Sequence, residues 1–223
     1  NMIHFGNTYN SDYCPASISE NDMTFLKDFS DGKETDMTRL REIISDNSEI
    51  KPWNILAITF TNKAAGELKE RLKAFLGEDG DDVNAATFHS ACVRILRREI
   101  THLGYDTSFT IYDSDDTQRV IKSCIADLNV SDKQFPPKSV QNIISGAKDQ
   151  LINPEDFENE SGGDFRKQIM SKIYELYQKR LKAANALDFD DIIKLTVELF
   201  ENNSEVLVHY QKRYKYIMVD EYQ

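Results

Sequence analysis

The sequence predicts an α/β fold in which a small parallel sheet carries a largely helical insertion. Between residues 54 and 103 apolar runs alternate with helical stripes as strand, helix, strand, helix, the pattern of a parallel sheet with right-handed crossovers. The run Tyr216-Ile217-Met218-Val219 reads as one more buried strand returning to that sheet. Residues 113–203 read almost wholly as helix, with Pro136-Pro137, Pro154 and Gly162-Gly163 as the breaks.

The first strand and helix set the frame. Ile55-Leu56-Ala57-Ile58-Thr59-Phe60 is short, continuous and rich in β-branched residues, as in a strand covered on both faces. Helical periodicity follows: Ala64, Ala65, Leu68, Leu72, Phe75 and Leu76 share an apolar stripe, Lys63, Glu67, Glu70 and Lys73 face away, and Gly77 is the stop. Thr61 or Asn62 caps the helix, so free N–H groups gather at the carboxyl end of a buried strand, a place where α/β proteins hold anions.

The second strand spans Val83–Phe88, and its helix runs from His89 to about Leu103 with Ala91, Cys92, Ile95, Leu96 and Leu103 turned inward. Arg94, Arg97 and Arg98 follow within a turn and read either as a local basic patch or as a solvated helix face. Phe109–Tyr112 is a brief extended piece. Helices are predicted over Asp115–Leu128, Lys138–Gln150, Phe165–Ala184, Asp188–Glu201 and Ser204–Tyr214. Phe165, Ile169, Ile173, Tyr177 and Leu181 form a core stripe. The acids Asp188, Asp190 and Asp191 favour a capped helix start over a metal site.

Ahead of the sheet, residues 1–50 form an acidic segment with short helices at Glu20–Phe29 and Met37–Ser45. The net charge of −11 by itself argues against a nucleic-acid partner, since backbone binding rests on neutralising phosphate. Its distribution answers that, because ten acids against four bases in residues 1–50 supply −6 of the total. No apolar run approaches the ~20 residues a membrane span needs, and Asn1–Ser11 lacks the order of a signal peptide. The expectation is a cytoplasmic protein. Cys14, Cys92 and Cys124 fit no metal-ligand pattern and are expected as reduced thiols.

Four strings carry a family resemblance. Thr59-Phe60-Thr61-Asn62-Lys63-Ala64-Ala65 resembles the first single-strand-contacting motif of UvrD/Rep-type superfamily 1 ATP-dependent DNA helicases, and Thr87-Phe88-His89-Ser90 resembles the second. Ile217-Met218-Val219-Asp220-Glu221-Tyr222-Gln223 resembles their Walker B motif, and Leu187-Asp188-Phe189-Asp190-Asp191 another recurring string. The resemblance implies a RecA-like parallel sheet, a partial P-loop NTPase core, from residues 51–112 and 204–223, with residues 113–203 as the helical inserted subdomain. It implies a parent protein that uses ATP and Mg²⁺ to move 3′ to 5′ along single-stranded DNA, with DNA-repair proteins as further partners. Phe60, Thr61, Asn62, Lys63, Thr87, Phe88, His89 and Ser90 would line the strand track. Asp220 would hold Mg²⁺ through a water, Glu221 would activate the attacking water, and Gln223 would relay nucleotide state to the track. The residues alone leave another reading open, with Phe60 and Phe88 as core aromatics and His89 and Ser90 as helix caps.

One family part has no counterpart. A glycine-rich GxxxxGK[ST] loop should precede the strand at Ile55, yet the Gly-Lys pair here, Gly32-Lys33, has Lys27 where the first glycine belongs and Glu34 where a hydroxyl should meet Mg²⁺. With no Walker A loop, and with the chain stopping before a second motor domain and its arginine finger, the expectation is that it binds no nucleotide and hydrolyses ATP negligibly. Two other readings stand beside the helicase fragment: a non-catalytic module for single strands or a repair partner, and an unrelated Mg²⁺-dependent α/β hydrolase using Asp220 and Glu221.

Overall fold

The computed structural model describes residues 18–44, 50–160 and 162–220. Two compact units divide the chain, one of residues 1–85 with 212–223 and one of residues 86–211. The division falls inside the strand of residues 84–87.

The first unit opens with helices α1 (Glu20–Ser30) and α2 (Met37–Ile44), as predicted. Ser19 and Asp22 close a capping box on α1. Strand β1 (Ile55–Thr59) is buried along its whole length, and α3 (Asn62–Leu76) follows within three residues. Gly77, at φ +67°, ends α3 by donating its N–H to the Lys73 carbonyl. A short 3-10 turn then brings Gly80 so close that a Cβ there would strike the Leu72 carbonyl. Strand β2 is Asn84–Thr87 and the last strand, β5, is Tyr216–Val219, in the order β2-β1-β5. β5 runs parallel to β1 with Ile55 opposite Tyr216 and Ile58 opposite Val219. Ile50, Ile55 and Val83 form this unit's core, with Leu72, Leu76 and Tyr216 against it.

Two predicted burials fail here. β5 is an edge strand with Ile217 62% exposed and Met218 also exposed, so its apolar run does not mark a strand covered on both faces. Phe75 is 71% exposed although it lies on the apolar stripe of α3. In both cases the local pattern states what could be buried, while the layers that cover it are set elsewhere in the chain.

The second unit is helical: α4 (Phe88–Glu99), α5 (Ser114–Asp127), α6 (Pro137–Asp149), α7 (Pro154–Asn159), α8 (Phe165–Ala183), α9 (Phe189–Asn202) and α10 (Ser204–Arg213). Its core joins Ile121 and Ile125 of α5, Val140 and Ile144 of α6, and Ile173, Tyr174, Tyr177 and Leu181 of α8, each such side chain contributing roughly 1.5–3 kcal/mol by leaving water. Two features differ from the sequence reading. Pro154 starts a helix instead of only breaking one, because proline's missing N–H costs nothing in a first turn and Asn153 caps it. The extended piece at Thr110–Ile111, β3, pairs in parallel with an unforeseen strand β4, Ala186–Leu187.

Candidate nucleic-acid interface

In the first unit the site begins where β1 turns into α3. Thr59 is buried and its hydroxyl donates to the Thr61 carbonyl at 3.1 Å, tightening the joint. Thr61 stays extended at φ −117°, ψ 148°, and its hydroxyl accepts the Ala64 N–H at 3.1 Å. The turn leaves Phe60 61% exposed. The core-aromatic reading therefore does not hold for Phe60. Asn62 and Lys63 are exposed beside it, and Lys63 Nζ lies 4.0 Å from Glu67. No acid occupies the first turn of α3 or α4, whereas Asp115 and Asp116 begin α5 and Asp190 and Asp191 begin α9. Neither of the two motif-bearing helices thus carries an acid of its own in its first turn, where a carboxylate would compete with an incoming anion.

Asp220 comes to the same end of the sheet. It follows β5 directly, and its N–H donates to the Ile58 carbonyl at 2.9 Å, placing it next to the tip of β1. The strand ends at Val219 and the chain turns at Asp220. Glu221 and Gln223 lie outside the described residues. Among the described residues no cluster of three or more His, Cys, Asp or Glu side chains is placed to hold a metal ion.

A triphosphate finds no match at Gly32-Lys33. That pair closes the end of α1, with Gly32 at φ +73° and Lys33 Nζ held 3.1 Å from Asp31 and 3.6 Å from Asp28. A phosphate cradle needs backbone N–H groups between a strand and a helix and an unshared lysine. Here the glycine serves a helix end and the lysine serves two carboxylates.

In the second unit Thr87 caps α4, its oxygen accepting the Ser90 N–H at 3.2 Å while its hydroxyl donates to Ser90 Oγ at 2.9 Å. Phe88 and His89 are half-buried and Ser90 is exposed. The cap is thus Thr87, and His89 is free of that duty. Its ring stacks on Phe189, the first residue of α9, with centroids 3.7 Å apart and planes 19° from parallel. Burial lowers the His89 pKa below the ordinary imidazole value, opposed by the Asp190 carboxylate. Of the three arginines, Arg97 is committed to structure, donating to the Thr107 carbonyl at 2.7 Å and lying 3.8 Å above the Phe109 ring. Arg94 and Arg98 are exposed.

The acids of the fourth string cap α9. Asp188 and Asp191 close a capping box, and both hold Lys148 Nζ, at 2.6 and 2.7 Å. Tyr177 donates to Asp188 at 2.7 Å. Lys148 is 1% exposed and escaped the sequence reading. Its signal was its place on the Val140 and Ile144 stripe of α6, where a lysine four residues on demands a buried partner.

These joints fit the class of helicase N-terminal domains, and the comparisons agree. The chain belongs to the UvrD/REP helicase N-terminal domain family, whose model matches residues 33–223. It is 46% identical over 192 residues to the ATP-dependent DNA helicase PcrA of Bacillus subtilis (strain 168), covering 86% of this chain and 26% of that protein. It is 38% identical over 222 residues to the ATP-dependent DNA helicase PcrA of Staphylococcus aureus (strain Mu50 / ATCC 700699), covering 100% of this chain and 30% of that protein. The chain thus spans less than a third of the length of these curated relatives. Membership of this family removes the unrelated hydrolase reading. Among the described residues no helix is long and apolar enough to cross a membrane.

Proposed function

We propose that the chain is part of the first motor domain of an ATP-dependent DNA helicase that travels 3′ to 5′ on single-stranded DNA. In this reading residues 51–112 and 204–223 belong to the motor, residues 113–203 are its helical insert, and the strand runs past Phe60, Thr61, Asn62, Lys63, Thr87, Phe88, His89 and Ser90. The start of α3 carries the proposal: a capped helix end with no first-turn acid stands beside an aromatic ring that is 61% exposed. Backbone N–H groups and small polar side chains suit phosphate oxygens, and an exposed ring suits any base, so the contact is tolerant of sequence.

The chain itself hydrolyses ATP negligibly, because Gly32-Lys33 is engaged in a helix end and in ion pairs with Asp28 and Asp31. Turnover near that of a whole helicase would contradict this. The same observation favours a second reading, a non-catalytic single-strand or repair-partner module, for which DNA binding would be unchanged by nucleotide.

The test is an anisotropy titration of labelled oligothymidine. Binding is weak and falls steeply with salt, and Phe60→Ala and His89→Ala each weaken it several-fold while the melting temperature stays put. Affinity untouched in both variants, with melting lowered, would show that these rings serve only the fold.

A further inference from the structure

We infer that Lys148 is a positioning residue for the strand track: buried between the two carboxylates that begin α9, it fixes the helix end that holds Phe189 against His89. The inference rests on the reading of His89 as a strand contact.

The chain of contacts is short. Lys148 Nζ reaches Asp188 Oδ2 at 2.6 Å and Asp191 Oδ1 at 2.7 Å, and the same Asp188 oxygen accepts the Tyr177 hydroxyl at 2.7 Å. Asp188 Oδ1 accepts the Asp191 N–H at 2.9 Å, and Asp191 Oδ2 accepts the Asp188 N–H at 3.2 Å. Every oxygen of these two carboxylates is therefore occupied, and α6, α8 and α9 are tied at one point. Phe189 is the next residue, 57% exposed, and its ring lies on His89. An exposed ring gains little from packing, so its direction follows from the backbone that carries it.

Packing alone does not immobilise that backbone. A cavity of about 510 Å³ adjoins it, lined by Tyr112, Gln141, Ser145, Tyr177, Asp188 and Phe189 among others. The helix end has room to shift on that side, and the buried charges restrain it. Burying three charges for stability alone is inefficient, since apolar side chains of like volume often serve as well or better. What the ionic cluster adds is a unique geometry, here for a pair of stacked rings.

The experiment uses the 223-residue chain. The His89 imidazole C2 proton, assigned with His89→Gln, is titrated by NMR in the native chain and in Lys148→Met, and oligothymidine affinity is measured on the same samples. If Lys148 positions the pair, His89 titrates closer to the ordinary imidazole value in Lys148→Met, and affinity drops about five- to tenfold, the scale of one base–aromatic contact. Should Lys148→Met fail to fold, Tyr177→Phe removes one hydrogen bond to Asp188 and gives a smaller shift in the same direction. A folded variant with unchanged His89 titration and unchanged affinity overturns the inference, as does an unshifted His89 in Tyr177→Phe. If His89 shifts in Lys148→Met while His89→Ala itself binds DNA normally, the positioning stands and the strand-track reading falls.

Discussion

Helices α3 and α9 begin with the same backbone need and opposite surroundings. At α3 one threonine hydroxyl accepts one N–H, and Thr61, Asn62 and Lys63 around it are exposed. At α9 two buried carboxylates cap each other's N–H groups and share a lysine and a tyrosine hydroxyl. The first lies at an exposed turn with no acid in its first turn; the second has its capping carboxylates engaged inside the protein. In the proposed function the first helix start is the one that meets the strand, and in the inference drawn from Lys148 the second holds still the residue that follows it.

The contrast breaks most readily at Lys148. Removing it strands two buried carboxylates, so Lys148→Met loses about 3–5 kcal/mol of stability in urea titration, whereas Lys63→Ala, with its exposed pair to Glu67, changes stability by less than ~0.5 kcal/mol. Equal losses would show that the two helix starts do not differ as described.

Protonation sharpens it further. Burial pushes the Asp191 carboxyl up to about 6, with Lys148 opposing and Asp188 adding to the rise. Asp188 moves the other way, since Lys148 and the Tyr177 hydroxyl outweigh its burial. A carboxyl whose folded pKa lies above its unfolded value of 3.8 lends stability that is complete below that value and is lost as pH rises through about 6. The lowered Asp188 lends stability above 3.8 that is lost only as pH falls through its folded pKa. The native chain therefore loses stability from pH 4 to pH 7 relative to Asp191→Asn, by on the order of 2 kcal/mol, read as the difference in melting between the two. Parallel pH profiles would contradict the assignment.

Smaller effects follow at α3. Thr61→Ala removes the cap and costs about 1 kcal/mol in urea titration. Phe60→Ala costs less than ~0.5 kcal/mol, because the residue is 61% exposed, yet it weakens oligothymidine binding several-fold. A large loss of stability without a loss of binding would return Phe60 to the core.

The same two helix starts show what was legible in the sequence. Gly77 and the acids at Asp188 act over three or four residues and were read from their neighbours as stop and capped start, while the α3 cap was narrowed to Thr61 or Asn62 and falls on Thr61. Lys148 was missed because its partners lie 40 and 43 residues on, brought near only when α6, α8 and α9 pack. Strands β3 and β4 have two residues each, too few for a period to show, and their pairing bridges residues 110 and 186. The exposure of Ile217, Met218 and Phe75 was misread for a related reason: an apolar pattern gives a face, and the rest of the fold decides whether anything covers it. The strings around Phe60 and His89 were legible as motifs, while the stack of His89 on Phe189 was not, since nothing local to either residue announces the other.

The most direct measurement of the central claim is an amide chemical-shift titration of the chain with oligothymidine. The account predicts saturable shifts at Phe60, Asn62 and Lys63 and at His89 and Ser90, with Asp28, Asp31 and Lys33 unmoved. Shifts confined to other surfaces, or none at concentrations where anisotropy reports binding, would contradict it.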